Sequence, residues 1–277
     1  HAGGHDFIAT AHEDQKFGLS LASGAARAAV DAVLARPELT LLGLHSHIGS
    51  QILDLSAFEH AAGALLRLRA EVASDTGMLM PELDLGGGYG ISYTGADTPP
   101  TPAVIAPALA DVVRRASAEL GSAPPRVSVE PGRAVVGPAG LTLYRVGTVK
   151  PVALDGGTER RYVSVDGGMS DNIRTALYDA EYTAALAGRT SQAPAVVSRV
   201  VGKHCESGDI VVRDVLLPDD VAPGDLLAVP ATGAYGRSMA SNYNHIPRPG
   251  VLAVRDGQSR FIVRPETEED LLALELG

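Results

Sequence analysis

Tryptophan is absent from these 277 residues, phenylalanine occurs four times, and Cys205 is the only cysteine. A lone thiol forms no internal disulfide, so a reducing cytoplasm suits the chain. Lysine is also scarce: Lys16, Lys150 and Lys203 stand against twenty arginines. Net charge is −10 and the pI is near 5.2, so no sequence-wide basic field exists to hold a polyphosphate backbone, and nucleic acid is not an expected partner. No apolar run approaches bilayer length and no signal-peptide pattern opens the chain, so neither a membrane nor export is expected. The length suffices for one large α/β domain or two smaller ones with a substantial core.

The chain changes character near residue 140. Before it, helical and strand patterns alternate. "LASGAARAAVDAVLARPE" (21–38) has apolar residues at helical spacing, and "LTLLGLHSHIG" (39–49) begins as a buried strand. "SAFEHAAGALLRLRAEVASDTG" (56–77) opens with Ser56 and Glu59 at capping-box spacing. "TPAVIAPALADVVRRASAELG" (101–121) offers Thr101 as N-cap, Pro102 at the first helical position and Gly121 as a stop. Repeated β–α units predict a parallel sheet with helical crossovers. Past 140 the segments "LTLYRVGTVKPV", "RRYVSVDGG", "APAVVSRVVGKHC", "GDIVVRDVLL", "GDLLAVP" and "VLAVRDGQSRFIVRP" read as strands separated by Gly, Pro and Asp turns. "SDNIRTALYDAEY" (170–182) is a polar loop or short helix among them. The expected organisation is an α/β domain over 1–140 and an all-β domain over 141–277.

Polar turns follow each of three predicted parallel strands: "HSHIGSQ", "GGGYG" and "EPGR". In parallel α/β architectures the C-terminal strand ends share one face and carry the chemistry. Consecutive glycines let backbone N–H groups approach an anion, a phosphate above all, although the same glycines also make a tight turn without a ligand. The turn lacks the ending of a Walker loop and the spacing of a dinucleotide fingerprint. Glu130 and Arg133 suit a ligand with one cationic and one anionic group, or form a local ion pair. His45 and His47, two residues apart, fall on one side of a strand. With no acidic third ligand nearby in sequence, packing and pocket-rim roles are preferred to a metal, and no metal is expected.

Read together, "FIATAHEDQKFGLS", "HSHIGSQI", "LDLGGGYG", "VEPGRAVVGPAG", "VDGGMSDNIRTALYDA", "GKHCESGDI", "GAYGRSMASNYN" and "ETEEDLLALELG" resemble one family nearly end to end. It is the diaminopimelate decarboxylase branch of the fold-type III pyridoxal-phosphate decarboxylases. The resemblance implies the C-terminal part of a TIM-type (β/α)8 barrel followed by a β-domain of the alanine racemase/ornithine decarboxylase type, paired as a homodimer with composite active sites. It implies pyridoxal 5'-phosphate as cofactor, with His47 stacked on the pyridine ring and Gly86, Gly87 and Gly88 along the phosphate. Glu130 is expected at the pyridine nitrogen, Arg133 at substrate and phosphate oxygens, Ser50 beside the cofactor, and Tyr235 at both phosphate and substrate. Arg174 and Tyr178 are the pair the family uses on a distal substrate carboxylate; by spacing alone they are an ordinary i, i+4 surface contact. Cys205, on residue type alone a small buried hydrophobe, is implied as the proton donor after CO₂ leaves. Glu206 is implied as the ligand of the distal ammonium.

The implied reaction is decarboxylation of meso-2,6-diaminopimelate to L-lysine in a cytoplasmic enzyme. Related decarboxylases acting on ornithine, arginine or carboxynorspermidine are the alternatives, as is a non-catalytic subunit that modulates a decarboxylase. One part of the family pattern is missing. The cofactor-bearing lysine belongs to an early barrel motif that has no counterpart here, and Lys16, Lys150 and Lys203 match other positions. The sequence-based expectation is an N-terminally truncated chain, poorly active alone, with exposed strand edges.

Overall fold

The computed structural model describes residues 17–277; Lys16 lies outside them. The chain divides into two units, one of His1–Ile91 with Thr98–Ala134 and one of Ser92–Asp97 with Val135–Gly277.

In the first unit, helices α1 (Ala25–Leu34), α2 (Ser56–Thr76) and α3 (Pro102–Glu119) alternate with strands β1 (Gly43–His45), β2 (Glu82–Asp84) and β3 (Arg126–Ser128). The strands are parallel in the order β1-β2-β3, with Leu44 opposite Leu83 and Leu83 opposite Val127. Phe58, Ala62, Leu65 and Leu66 of α2 recur at helical spacing. They meet Leu109, Val112 and Val113 of α3, and Leu83 and Leu85 from β2 and its exit, in one buried cluster. Val30 of α1, Leu68 and Val72 of α2, and Met80 form a second. β3 is exposed along its length, with Val127 37% accessible.

Two helix boundaries follow the sequence reading and one departs from it. Thr101 is the N-cap of α3 with Pro102 behind it, and Gly121, at φ 64°, follows its last residues. At α2 the predicted Ser56–Glu59 capping box is not formed. Asp54 instead accepts hydrogen bonds from the Ser56 amide (2.9 Å) and hydroxyl (2.6 Å), because a carboxylate two residues upstream reaches the first amide directly.

The second unit holds a six-stranded mixed sheet in the order β6-β9-β4-β5-β7-β8. Its strands are β4 (Leu141–Ala153), β5 (Glu159–Val165), β6 (Ala185–Ala187), β7 (Ala195–Val201), β8 (Ile210–Pro218) and β9 (Leu226–Pro230). β5 and β7 run parallel and the other pairs antiparallel. A separate hairpin, β10 (Val251–Arg255) with β11 (Gln258–Val263), turns at Asp256-Gly257. Short helices interrupt the β-rich pattern: α4 (Gly132–Val136) leads into the unit, and α5 (Arg174–Tyr178), α6 (Gly236–Met239) and α7 (Glu268–Leu272) lie within it. Thr267 and Asp270 form the capping box of α7. Among the described residues no helix is long and apolar enough to cross a membrane.

Arg69 of α2 is the buried charged side chain among the first unit's described residues, 2% exposed. Its guanidinium donates to the carbonyls of Met80 (2.7 Å, from Nε) and Ala123 (2.9 Å, from Nη1), tying the entrances of β2 and β3 to the helix. Burial lowers its pKa. Arg69→Met is expected to leave two carbonyls without donors and cost about 2–4 kcal/mol. Urea unfolding should show that loss, while Arg67→Met on the exposed side of α2 should change stability by less than about 0.5 kcal/mol.

Candidate functional site

The C-terminal ends of β1, β2 and β3 bring the three predicted turns together. β1 stops at His45, so His47 lies past the strand, and its Nδ1 accepts a long 3.4 Å hydrogen bond from the Gly87 amide. The turn Gly86-Gly87-Gly88 is wedged between its neighbours. A Cβ on Gly86 would sit 2.2 Å from the Ser46 carbonyl oxygen, on Gly87 2.7 Å from that of Glu130, and on Gly88 2.5 Å from that of Gly49. Gly86 and Gly88 also hold positive φ, 68° and 98°. Backbone hydrogen bonds fix the turn on both sides: Glu130 N to Gly86 O (2.9 Å) and Ile52 N to Gly88 O (2.8 Å). The Gly86 amide is taken by Asp84 Oδ1 at 2.8 Å. The glycines therefore serve backbone packing.

Glu130 and Arg133 turn to different partners. His45 Nε2 lies 3.3 Å from Glu130 Oε2, and Arg133 Nη2 donates to Ser50 Oγ at 2.6 Å. The latter contact joins two residues singled out separately in the sequence. Asp84 completes a cluster with His45 and Glu130 whose ligand-type atoms lie within 4.8 Å of one another. No acidic neighbour of the histidines was visible in the local sequence; strand pairing supplies two.

In the second unit, Arg174 opens α5 and is 8% exposed, whereas Tyr178, one turn on, is 62% exposed. The surface i, i+4 arrangement is thus absent. Arg174 Nη1 donates to the Tyr182 hydroxyl, and the guanidinium carbon lies 4.9, 5.6 and 5.6 Å from the ring centroids of Tyr93, Tyr182 and Tyr235. Tyr93 and Tyr182 meet edge to face at 5.2 Å. Burial raises the pKa of Tyr182 and Arg174 opposes the shift. Tyr93 and Tyr182 come from separate segments and carry no local motif of their own.

Cys205 and Glu206 sit exposed on the turn between β7 and β8. Beneath them Asp209, buried, accepts hydrogen bonds from the amides of Met169 (2.6 Å) and His204 (2.8 Å). A Cβ on Gly202 or Gly168 would come within 2.2 or 2.6 Å of that carboxylate. His204 Nε2 lies 2.9 Å from Ser170 Oγ, and Asp171 accepts the Tyr144 hydroxyl. The turn is therefore built on buried carboxylates and glycines rather than left loose.

Residues 1–137 match the family model for the pyridoxal-dependent decarboxylase, pyridoxal binding domain. Over 98% of its length the chain is 56% identical to the diaminopimelate decarboxylase of Mycobacterium bovis and 45% identical to that of Bacillus subtilis, covering 62% and 61% of those proteins. The crystal structure of diaminopimelate decarboxylase from M. jannaschii in complex with L-lysine superposes with a TM-score of 0.89 at 33% identity, over 99% of this chain and 60% of that one. The first unit is thus a domain of the pyridoxal-dependent decarboxylase class. Over nearly its whole length the chain is thus similar to diaminopimelate decarboxylases, and it spans about three fifths of the length of the curated relatives it matches.

The residues present fit pyridoxal phosphate. Among the described residues, the Gly88 amide donates to no acceptor and the buried Ser46 hydroxyl has no hydrogen-bond partner. Both lie on the turns that also carry His47, Ser50 and Arg133 or face them. An N–H and an O–H suit phosphate oxygens, and the exposed Glu130 carboxylate suits a protonated ring nitrogen. Neither described lysine, Lys150 or Lys203, belongs to the first unit.

Gly88→Ala is expected to push the turn off the Gly49 carbonyl and to weaken pyridoxal phosphate binding at least about tenfold, read by fluorescence titration. A pH effect arises at Glu266, whose Oε2 accepts from Asn242 Nδ2 (2.6 Å) and the Arg248 amide (2.8 Å), and Oε1 from Arg248 Nε (2.6 Å). These bonds, with Arg248 first among them, hold the carboxyl down to about 2, against an ordinary 4.5. A depressed carboxyl stabilises the fold above its ordinary pKa and loses that contribution as pH falls through its folded value. The Tm advantage of the native chain over Glu266→Gln should be constant at neutral pH and shrink steadily from pH about 4.5 toward about 2.

Proposed function

We propose that the chain is part of an enzyme that decarboxylates meso-2,6-diaminopimelate to L-lysine with pyridoxal phosphate. The observation that carries this reading is the convergence of His47, the glycine turn and Glu130 at adjacent parallel strand ends, in a chain 56% identical to a diaminopimelate decarboxylase. The first unit is read as the later β–α units of a (β/α)8 barrel, whose chemistry lies at the C-terminal strand ends. A cytoplasmic homodimer with composite sites belongs to the same reading.

Gly86, Gly87 and Gly88, with Ser50 and Arg133, would hold the cofactor phosphate, and His47 would lie against the ring. When bound, the cofactor supplies an electron sink for the pair left on the α-carbon when CO₂ departs. Glu130 keeps a proton on the ring nitrogen, and His45 at 3.3 Å orients that carboxylate. Arg174 receives the distal carboxylate of the substrate. A buried guanidinium among three tyrosine rings is a strong anion site, which supports a dicarboxylic substrate over ornithine or arginine. Tyr178 and Tyr235 complete substrate contacts, Glu206 takes the distal ammonium, and Cys205 delivers the proton to the α-carbon. Lys16, Lys150 and Lys203 match none of the cofactor-lysine motif of the family this chain resembles, so on this reading covalent attachment of the cofactor needs a lysine supplied by another segment.

With pyridoxal phosphate and meso-diaminopimelate, this chain alone should form L-lysine at no more than a trace rate. Activity should appear when a polypeptide bearing the lysine motif of a relative is added. In that complemented enzyme Cys205→Ala should lower kcat by about 100-fold with little change in KM. Brisk turnover by the unassisted chain, or equal turnover of ornithine, would contradict the assignment.

A further inference from the structure

We propose that Tyr243 is a positioning residue: its hydroxyl fixes the Glu206 carboxylate beside the Cys205 thiol. The inference rests on the reading that Cys205 and Glu206 serve one site.

Tyr243 lies in the 3-10 turn Tyr243–His245, far in sequence from the turn it touches. Its hydroxyl donates to Glu206 Oε1 at 2.6 Å. The ring leans on His204, centroid to centroid 5.3 Å. His204 is immobilised in turn by Ser170 at Nε2, by Asn244 Nδ2 at 3.4 Å from Nδ1, and through its amide by Asp209. The segment carrying Tyr243 is anchored at both flanks: the Ser241 amide donates to the Ser170 carbonyl at 2.8 Å, and Glu266 holds Asn242 and Arg248. The phenol is therefore a fixed donor and Glu206 the movable partner. The Tyr243 hydroxyl has its pKa raised, first by the bond to Glu206 and also, to a smaller degree, by the proximity of Cys205. It therefore stays protonated at neutral pH and remains a donor to Glu206.

A free glutamate on an exposed turn spends most of its time in solvent, because side-chain entropy opposes any one rotamer. One charge-assisted hydrogen bond from a rigid phenol offsets that entropy and keeps the carboxylate on the turn that carries the neighbouring Cys205. For a substrate, this sets the ammonium-binding group and the proton donor in register before binding occurs.

Cys205 is the only thiol, so alkylation of the full chain reports its surroundings without interference. The measurement is the ratio of the iodoacetamide rate to the iodoacetate rate, each normalised to N-acetylcysteine, at low ionic strength. A carboxylate held beside the sulfur repels the anionic reagent, and Glu206→Gln should lower the ratio about threefold, the size of unit-charge repulsion across roughly one side-chain length in water. Tyr243→Phe should lower it to nearly the Glu206→Gln value, with an unchanged unfolding midpoint, since the ring packing is retained. High salt should bring the wild-type ratio toward the variants'. A wild-type ratio in Tyr243→Phe, alongside a lowered one in Glu206→Gln, overturns the role of Tyr243 and leaves the site reading intact. An unchanged ratio in Glu206→Gln overturns both.

Discussion

The close approach of three backbone carbonyls to the glycine turn after β2 is the constraint on which the first unit's chemistry depends. The carbonyls of Ser46, Gly49 and Glu130 come from the turns after β1 and β3, and each occupies the space a side chain would need. A methyl group at any of the three glycines would separate a strand end from its neighbour. With glycine there, His47 reaches the Gly87 amide, Glu130 reaches His45, and Arg133 reaches Ser50. One local property, the absence of Cβ, thus sets the positions of groups drawn from three separate segments. The parallel register does the rest, because it ends all three strands at the same level.

The second unit solves a comparable problem with buried charge. Asp209 accepts two amides where Gly168 and Gly202 leave room for its carboxylate, and so shapes the turn that exposes Cys205 and Glu206. Arg174 is buried too, but among aromatic faces rather than against a carboxylate. A desolvated guanidinium whose hydrogen-bonding partner is a phenol retains more attraction for an incoming anion than one held in an ion pair. The two arrangements differ in what meets the buried charge: backbone amides at Asp209, aromatic faces and a phenol at Arg174.

How much of this was legible in the sequence differed by element. The strands of the second unit were readable because β-branched residues alternate between Gly, Pro and Asp turns; β4, β5, β7, β8, β9 and the β10–β11 hairpin fall on the predicted segments. β6 was missed, since "ALA" carries no β-branched residue and no alternation. The three parallel strands fall within the short apolar segments that run into polar turns, although each is only three residues long. Turns marked by local motif were visible: the glycine turn, the Glu130–Arg133 turn and the Cys205–Glu206 turn. Chemistry set by distant pairing was not. Asp84 beside His45, Ser50 beside Arg133, the tyrosines around Arg174 and Tyr243 above Glu206 are joined only by the fold. The burial of Arg174 had no local signal, because spacing to Tyr178 suggests a surface pair and says nothing of Tyr93 or Tyr182.

The central claim is that this chain holds a cofactor cradle without the lysine that would bind it covalently. Intact mass after incubation with pyridoxal phosphate and borohydride tests it most directly, because reduction fixes any lysine-bound cofactor. Saturable, reversible binding with no stoichiometric adduct is the expected result. A single adduct at Lys16, Lys150 or Lys203 would contradict it and give this chain its own covalent attachment site.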